Sequence, residues 1–179
     1  MSLHKALVAL AVFCSFGTAA FADADLIDDL IVKVGAGSTN VTGKADGESK
    51  NKNDLAYQVG LGYRFSEKGQ LVVDYTAATI GGLSDAKVST ISAELDYLFL
   101  DYSWFFRPFV GLGYGLTTVS VHGESGNGDG VFATAGAFVE ISQFLAGVKY
   151  NFHAAKIDAG DDVSFENPNT ILFFAGYRF

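Results

Sequence analysis

Thr170-Ile-Leu-Phe-Phe-Ala-Gly-Tyr-Arg-Phe179 is the stretch from which the fold can be read. Ile171, Phe173, Ala175, Tyr177 and Phe179 fall on one parity. Thr170, Gly176 and Arg178 share the other with Leu172 and Phe174. Side chains of a strand alternate between two faces, so this stretch predicts a strand with one apolar and one mixed face. Its last four residues, Gly176-Tyr-Arg-Phe179, repeat Gly62-Tyr-Arg-Phe65 from earlier in the chain.

The same alternation recurs upstream. Leu55, Tyr57, Val59, Leu61, Tyr63 and Phe65 oppose Ala56, Gln58, Gly60, Gly62 and Arg64. Comparable patterns predict strands over 30–41, 70–80, 88–100, 105–122, 131–141 and 144–157. The alternation is weakest over 131–141, where Phe132 and Phe138 share a face with Thr134 and Glu140. That gives eight strands, each long enough to cross a bilayer when tilted. Polar or glycine-rich stretches at 43–54, 81–87, 123–130 and 158–169 read as long loops. They alternate strictly with short turns at 66–69, 101–104 and 142–143.

At the other end, His4 and Lys5 precede an apolar run from Ala6 to Phe16 and small residues at Ala20 and Ala22. This predicts a cleavable signal peptide over 1–22 and one mature domain over 23–179. Phe13 stands before Cys14 where a lipoprotein signal needs a small residue, so no lipid anchor is expected. Loss of the segment removes the sole cysteine, and with it any disulfide or thiolate site. The whole chain carries 12 Lys+Arg against 20 Asp+Glu, a formal charge of −8 that excludes a nucleic-acid surface. Mean hydropathy is +0.25, yet after Ala22 no apolar run reaches the ~18 residues of a spanning helix. Alternation produces that combination when every second residue faces lipid.

Even strand number, long and short connections in turn, and apolar faces with no second sheet to cover them predict an all-β fold. The expected architecture is an eight-stranded antiparallel up-and-down transmembrane β-barrel. Tyr63, Phe65, Tyr97, Phe99, Tyr102, Trp104, Phe105, Phe144, Tyr177 and Phe179 gather at the short-turn end. They form the expected aromatic girdle of the periplasmic interface. Both termini are then periplasmic and the four long loops extracellular.

The amphipathic last strand, with Tyr177 two places before Phe179, resembles the closing strand of bacterial outer-membrane β-barrels. The mature chain is similar in architecture to the small eight-stranded group of OmpX, OmpW and the OmpA barrel. Its ending from Asn167 is similar to OmpW in particular. The resemblance implies a Gram-negative outer-membrane protein whose Tyr177 and Phe179 are the insertion signal read by the barrel-assembly machinery. It also implies lipid and lipopolysaccharide as neighbours, a monomer, and a non-enzymatic structural or surface role. Passage of small, including hydrophobic, solutes is the alternative.

By parity the interior collects Lys33, Arg64, Arg107, Lys149 and Arg178 against Asp74, Glu94, Asp96 and Glu140. An eight-stranded lumen is about filled by side chains, and unpaired charges there are costly. An ion-pair network plugging the lumen is therefore expected, with a narrow charged conduit as the other reading. Alternate glycines such as Gly60/Gly62 and Gly111/Gly113 leave room for the long side chains. They are not a nucleotide loop, since no helix and no Lys-Ser/Thr follow.

Some small barrels are lipid A deacylases or acyltransferases that use a His with a Ser. His153 is inward by parity and lacks the serine of the deacylase pattern, so no catalytic residue is assigned. His122 is the other mature histidine. Asp158, Asp161, Asp162 and Glu166 make the last loop acidic, without the spacing of a known calcium or magnesium loop. No cofactor or metal is expected.

Overall fold

The computed structural model describes residues 29–45, 48–80, 86–101, 103–121, 124–153, 156–158 and 163–179. The proposed signal peptide, Tyr102, His122, Asp161 and Asp162 lie outside them. Among the described residues the structure is all strand: β1 (Leu30–Ala45), β2 (Glu48–Ser66), β3 (Gly69–Ile80), β4 (Ala86–Leu98), β5 (Phe106–Val121), β6 (Glu124–Ile141), β7 (Phe144–His153), β8 (Lys156–Asp158) and β9 (Val163–Arg178).

From β1 to β7 each strand pairs antiparallel with the next, β7 and β8 both pair with β9, and β1 pairs with β9 to close the ring. The short β8 continues along the edge of β9 that β7 occupies lower down. The barrel therefore has eight staves, one of them made of β7 and β8 in succession. Closure leaves the spanning backbone no unpaired edge, which hydrocarbon would not tolerate.

Alternation sets what faces where. Val32, Val34, Tyr57, Val59, Leu61, Ile91, Leu95, Leu112, Val131 and Phe173 are exposed on the outer surface. Lys33, Gln58, Asp74, Glu94, Thr134 and Lys149 are buried within. This inverts the arrangement of a water-soluble sheet and suits hydrocarbon outside. The β6–β7 connection is two residues, Ser142-Gln143, and Ser142 takes φ 58°, as the first position of a primed hairpin turn requires.

The largest difference from the sequence reading lies at the long-loop end. The expected loop at 43–54 is mostly ladder: β1 and β2 stay paired out to Ala45↔Glu48. Likewise β5 and β6 run to Val121↔Glu124, and β9 begins at Val163 rather than Thr170. Apolar alternation reports only the part of a strand that meets lipid. Above it the hydrogen-bonded ladder continues with polar side chains, and the pattern that marks a strand is gone.

Candidate functional site

The interior is layered along the barrel axis. At the short-turn end Arg64 from β2, Arg107 from β5 and Arg178 from β9 converge on Glu140 of β6. Arg64 Nη1 reaches both carboxylate oxygens, at 3.2 and 3.1 Å. Arg107 Nη1 donates at 3.3 Å and Arg178 Nε at 2.9 Å. Arg107 also ties two turns to the wall, donating from Nη2 to the carbonyls of Glu67 at 2.5 Å and Leu100 at 3.0 Å. On the second of these turns, Ser103 donates its hydroxyl and its N–H to Asp101. These bonds, the hydroxyl's first, hold the Asp101 carboxyl below its usual pKa.

Above that floor sits an apolar layer of Ile31, Leu98, Phe109, Phe138, Leu145 and Phe174. Its rings meet in series at tilted angles, Phe109 with Phe138 at 6.0 Å and Phe138 with Phe174 at 6.4 Å. Cations cap it from both sides: Arg64 lies 5.9 Å from the Phe138 ring centre and Lys33 5.5 Å from that of Phe174. Parity alone did not reveal this layer. Phe132 and Phe138, which spoil the alternation of β6, are lumen-filling side chains.

At mid-barrel Lys149 of β7 crosses the lumen to Asp74 on β3 at 2.5 Å and Glu94 on β4 at 2.9 Å. Lys33 of β1 stands 3.7 Å from Asp74 and 3.9 Å from Glu94. Asp96 accepts from Gln70 Nε2 at 2.9 Å. Two glycines make this packing possible, since a Cβ at Gly60 would collide with the Asp74 carboxylate and one at Gly111 with that of Asp96. Higher still, hydroxyl and amide pairs line the wall: Thr39 with Thr170, Thr90 with Thr117, and Thr134 donating to Asn151, each at 2.9 Å.

His153 is buried in this upper layer, stacked on Phe132 at 4.7 Å, and faces away from the lipid surface. The lumen retains a polar cavity of about 20 Å³ bordered by Thr90, Asn151, His153 and Thr170, and a second of about 10 Å³ beside the apolar layer. Spaces of that size hold a water or two.

Of the nine charged residues named from sequence, Lys33, Arg64, Asp74, Glu94, Asp96, Arg107 and Lys149 are buried and Glu140 and Arg178 are partly open, and the ion pairs described among them fall in two groups. The aromatic residues lie on the outside at the short-turn end: Tyr97 meets Phe99 edge-on at 5.5 Å, and Tyr177 meets Phe144 at 5.3 Å and Phe179 at 5.0 Å. Phe65 and Trp104 are exposed nearby, and Tyr63 is half-buried. Tyr177 donates its hydroxyl to Gln143 at 2.6 Å, and Phe179 N–H bonds the Leu30 carbonyl at 2.9 Å, fastening the last strand to the first.

The sequence profile of a family described as outer membrane protein beta-barrel domain matches residues 17–99. No curated protein matches the chain. Among solved structures, Neisserial surface protein A is 19% identical, with 84% of this chain and 97% of that one covered at a TM-score of 0.62. OprG from Pseudomonas aeruginosa is 16% identical, with 85% and 96% covered at 0.62. Ail, the attachment invasion locus protein of Yersinia pestis, solved with the heparin analogue sucrose octasulfate, is 19% identical, with 84% and 99% covered at 0.50. At these identities the likeness is one of fold. The family profile spans the first four strands and the staves close into a ring around the lumen, so the chain is an eight-stranded antiparallel β-barrel similar in fold to small outer-membrane barrels.

Proposed function

We propose that this protein is a non-enzymatic, monomeric outer-membrane barrel whose lumen does not conduct and whose role lies at its surface. Both termini and the short turns face the periplasm, and the extended hairpins face outward among lipopolysaccharide, following the usual asymmetry of such barrels. One observation carries the reading: Lys149 reaches across the lumen to two carboxylates, and the two lumen cavities described above are water-sized. An ion entering from either side would have to break a buried pair and then pass the phenylalanine layer. Planar-bilayer recording of the purified protein is expected to show no steady large channels. Such channels would defeat the plugged lumen. The inward, stacked position of His153 supports the non-enzymatic part, and lipid A mass spectra are expected to be unchanged on overexpression.

A second reading is favoured by one irregularity. The β7–β9 ladder stops at Asn151↔Thr170 and resumes at Lys156↔Glu166. Pro168, which has no N–H to give, stands in the interval, where β9 also shifts register against β1. There the His153 N–H turns to the Asn169 side chain at 3.2 Å. The upper polar cavity lies beside this seam, a place where a small apolar solute could leave sideways into lipid. Uptake of such solutes that is unchanged in a deletion strain would remove this reading.

A further inference from the structure

The mid-barrel layer holds more acids than bases. Lys33 and Lys149 face Asp74, Glu94 and Asp96, two ammonium groups against three carboxyl groups, and all five side chains are buried. The ion pairs go to the first two acids. Lys149 bonds Asp74 and Glu94, and Lys33 stands 3.7 and 3.9 Å from them. Among the described residues no ion pair reaches Asp96, which is 2% exposed. Its hydrogen bond comes from Gln70 on β3, Nε2 to Oδ2 at 2.9 Å.

The other walls supply no counter-charge. Asp96 Oδ1 lies over Gly111 of β5, beside the methyl of Thr134 on β6, whose hydroxyl is turned to Asn151. The charged groups left in the layer are Asp74 on β3, Glu94 on Asp96's own strand, and the two lysines from β1 and β7, already engaged with those acids. Asp96 Oδ1 and Gln70 Oε1 are both buried without a hydrogen-bond partner. With Asp96 ionised, the two side chains would hold two stranded acceptors and no donor for either. A buried carboxylate without a paired charge is among the costliest groups an interior can keep. Turning the Gln70 amide over only sets its oxygen against a carboxylate oxygen. One added proton relieves both atoms at once.

We propose that Asp96 and Gln70 form a binding site for a single proton, carried on Asp96 Oδ1 and donated to Gln70 Oε1 while Gln70 Nε2 donates to Asp96 Oδ2. A carboxylic acid and a primary amide are complementary in this way, each giving one hydrogen bond and taking one. The layer then balances at two cations and two anions. Asp96 rather than Asp74 or Glu94 takes the proton, because those two carry the ion pairs. The assignment concerns one side chain and stands whether or not the lumen conducts.

The full barrel, folded in detergent at neutral pH, is measured by infrared spectroscopy with its aspartates isotope-labelled at the carboxyl carbon. Exposed aspartates are ionised there, so a protonated-carboxyl band that moves with the label is expected from Asp96 alone. Its absence in the unaltered protein overturns the proposal without recourse to any variant. Asp96→Asn should remove the band. The new amide can keep both bonds to Gln70, so the urea midpoint of this variant is expected at or above that of the parent. Glu94→Gln, which takes a charged partner from Lys149, should fall below it. A band that persists in Asp96→Asn, a midpoint lowered as far as that of Glu94→Gln, or an Asp96→Asn chain that does not refold would each overturn the proposal.

Discussion

Lys149 shows what a single side chain does in this lumen. Its ammonium satisfies two buried carboxylates on the opposite wall, so removing it strands both with only Lys33 nearby. Lys149→Met is expected to lower unfolding free energy in lipid or detergent by ~3–5 kcal/mol, read from urea titration. Adding Glu94→Gln should restore most of it, because the remaining Asp74 carboxylate then has Lys33 at 3.7 Å as its single counter-charge. Glu140→Gln tests the other cluster: three arginines would lose their shared anion, and a loss of similar size is expected in the same assay. Parity alone places Lys149 and Glu140 inside. It does not show that Lys149 meets a carboxylate 75 positions away, or that Glu140 gathers arginines from three strands. Partner choice depends on how the ring closes, which no local pattern encodes.

At the scale of the strand, legibility ends where lipid ends. Leu55 to Phe65 declares itself because every second residue is apolar, while Glu48 to Asp54 belongs to the same strand and reads as loop. The stability of the barrel should therefore depend little on the upper ladder. Replacing residues 42–51 by a two-residue turn is expected to leave the protein folded, seen as an unchanged difference in gel migration between unheated and boiled samples. A small change inside should matter more. Gly111→Val would drive a branched side chain into Asp96 and Thr134, and a loss of ~1–3 kcal/mol is expected in urea titration. The faulty alternation of β6 carries the same lesson: Phe132 and Phe138 look misplaced only until they are seen filling the centre.

For the molecule as a whole, an outer belt of lipid-facing side chains encloses a core that alternates between charge, rings and hydroxyls. The all-β class, the number of staves and the outward faces were legible because the hydrocarbon imposes a strict two-residue period. The layered order of the core was not, since each layer draws on residues from the whole ring. The ties across it have a mechanical result as well. Lys149 and Arg64 act like spokes, joining each wall to its opposite, so the cross-section cannot flatten into an ellipse without snapping them. Nor can one hairpin peel away alone, because it would leave a bare charge on the far side. Amide protons at mid-strand should then exchange with heavy water only when the entire cylinder comes apart, all at one common rate.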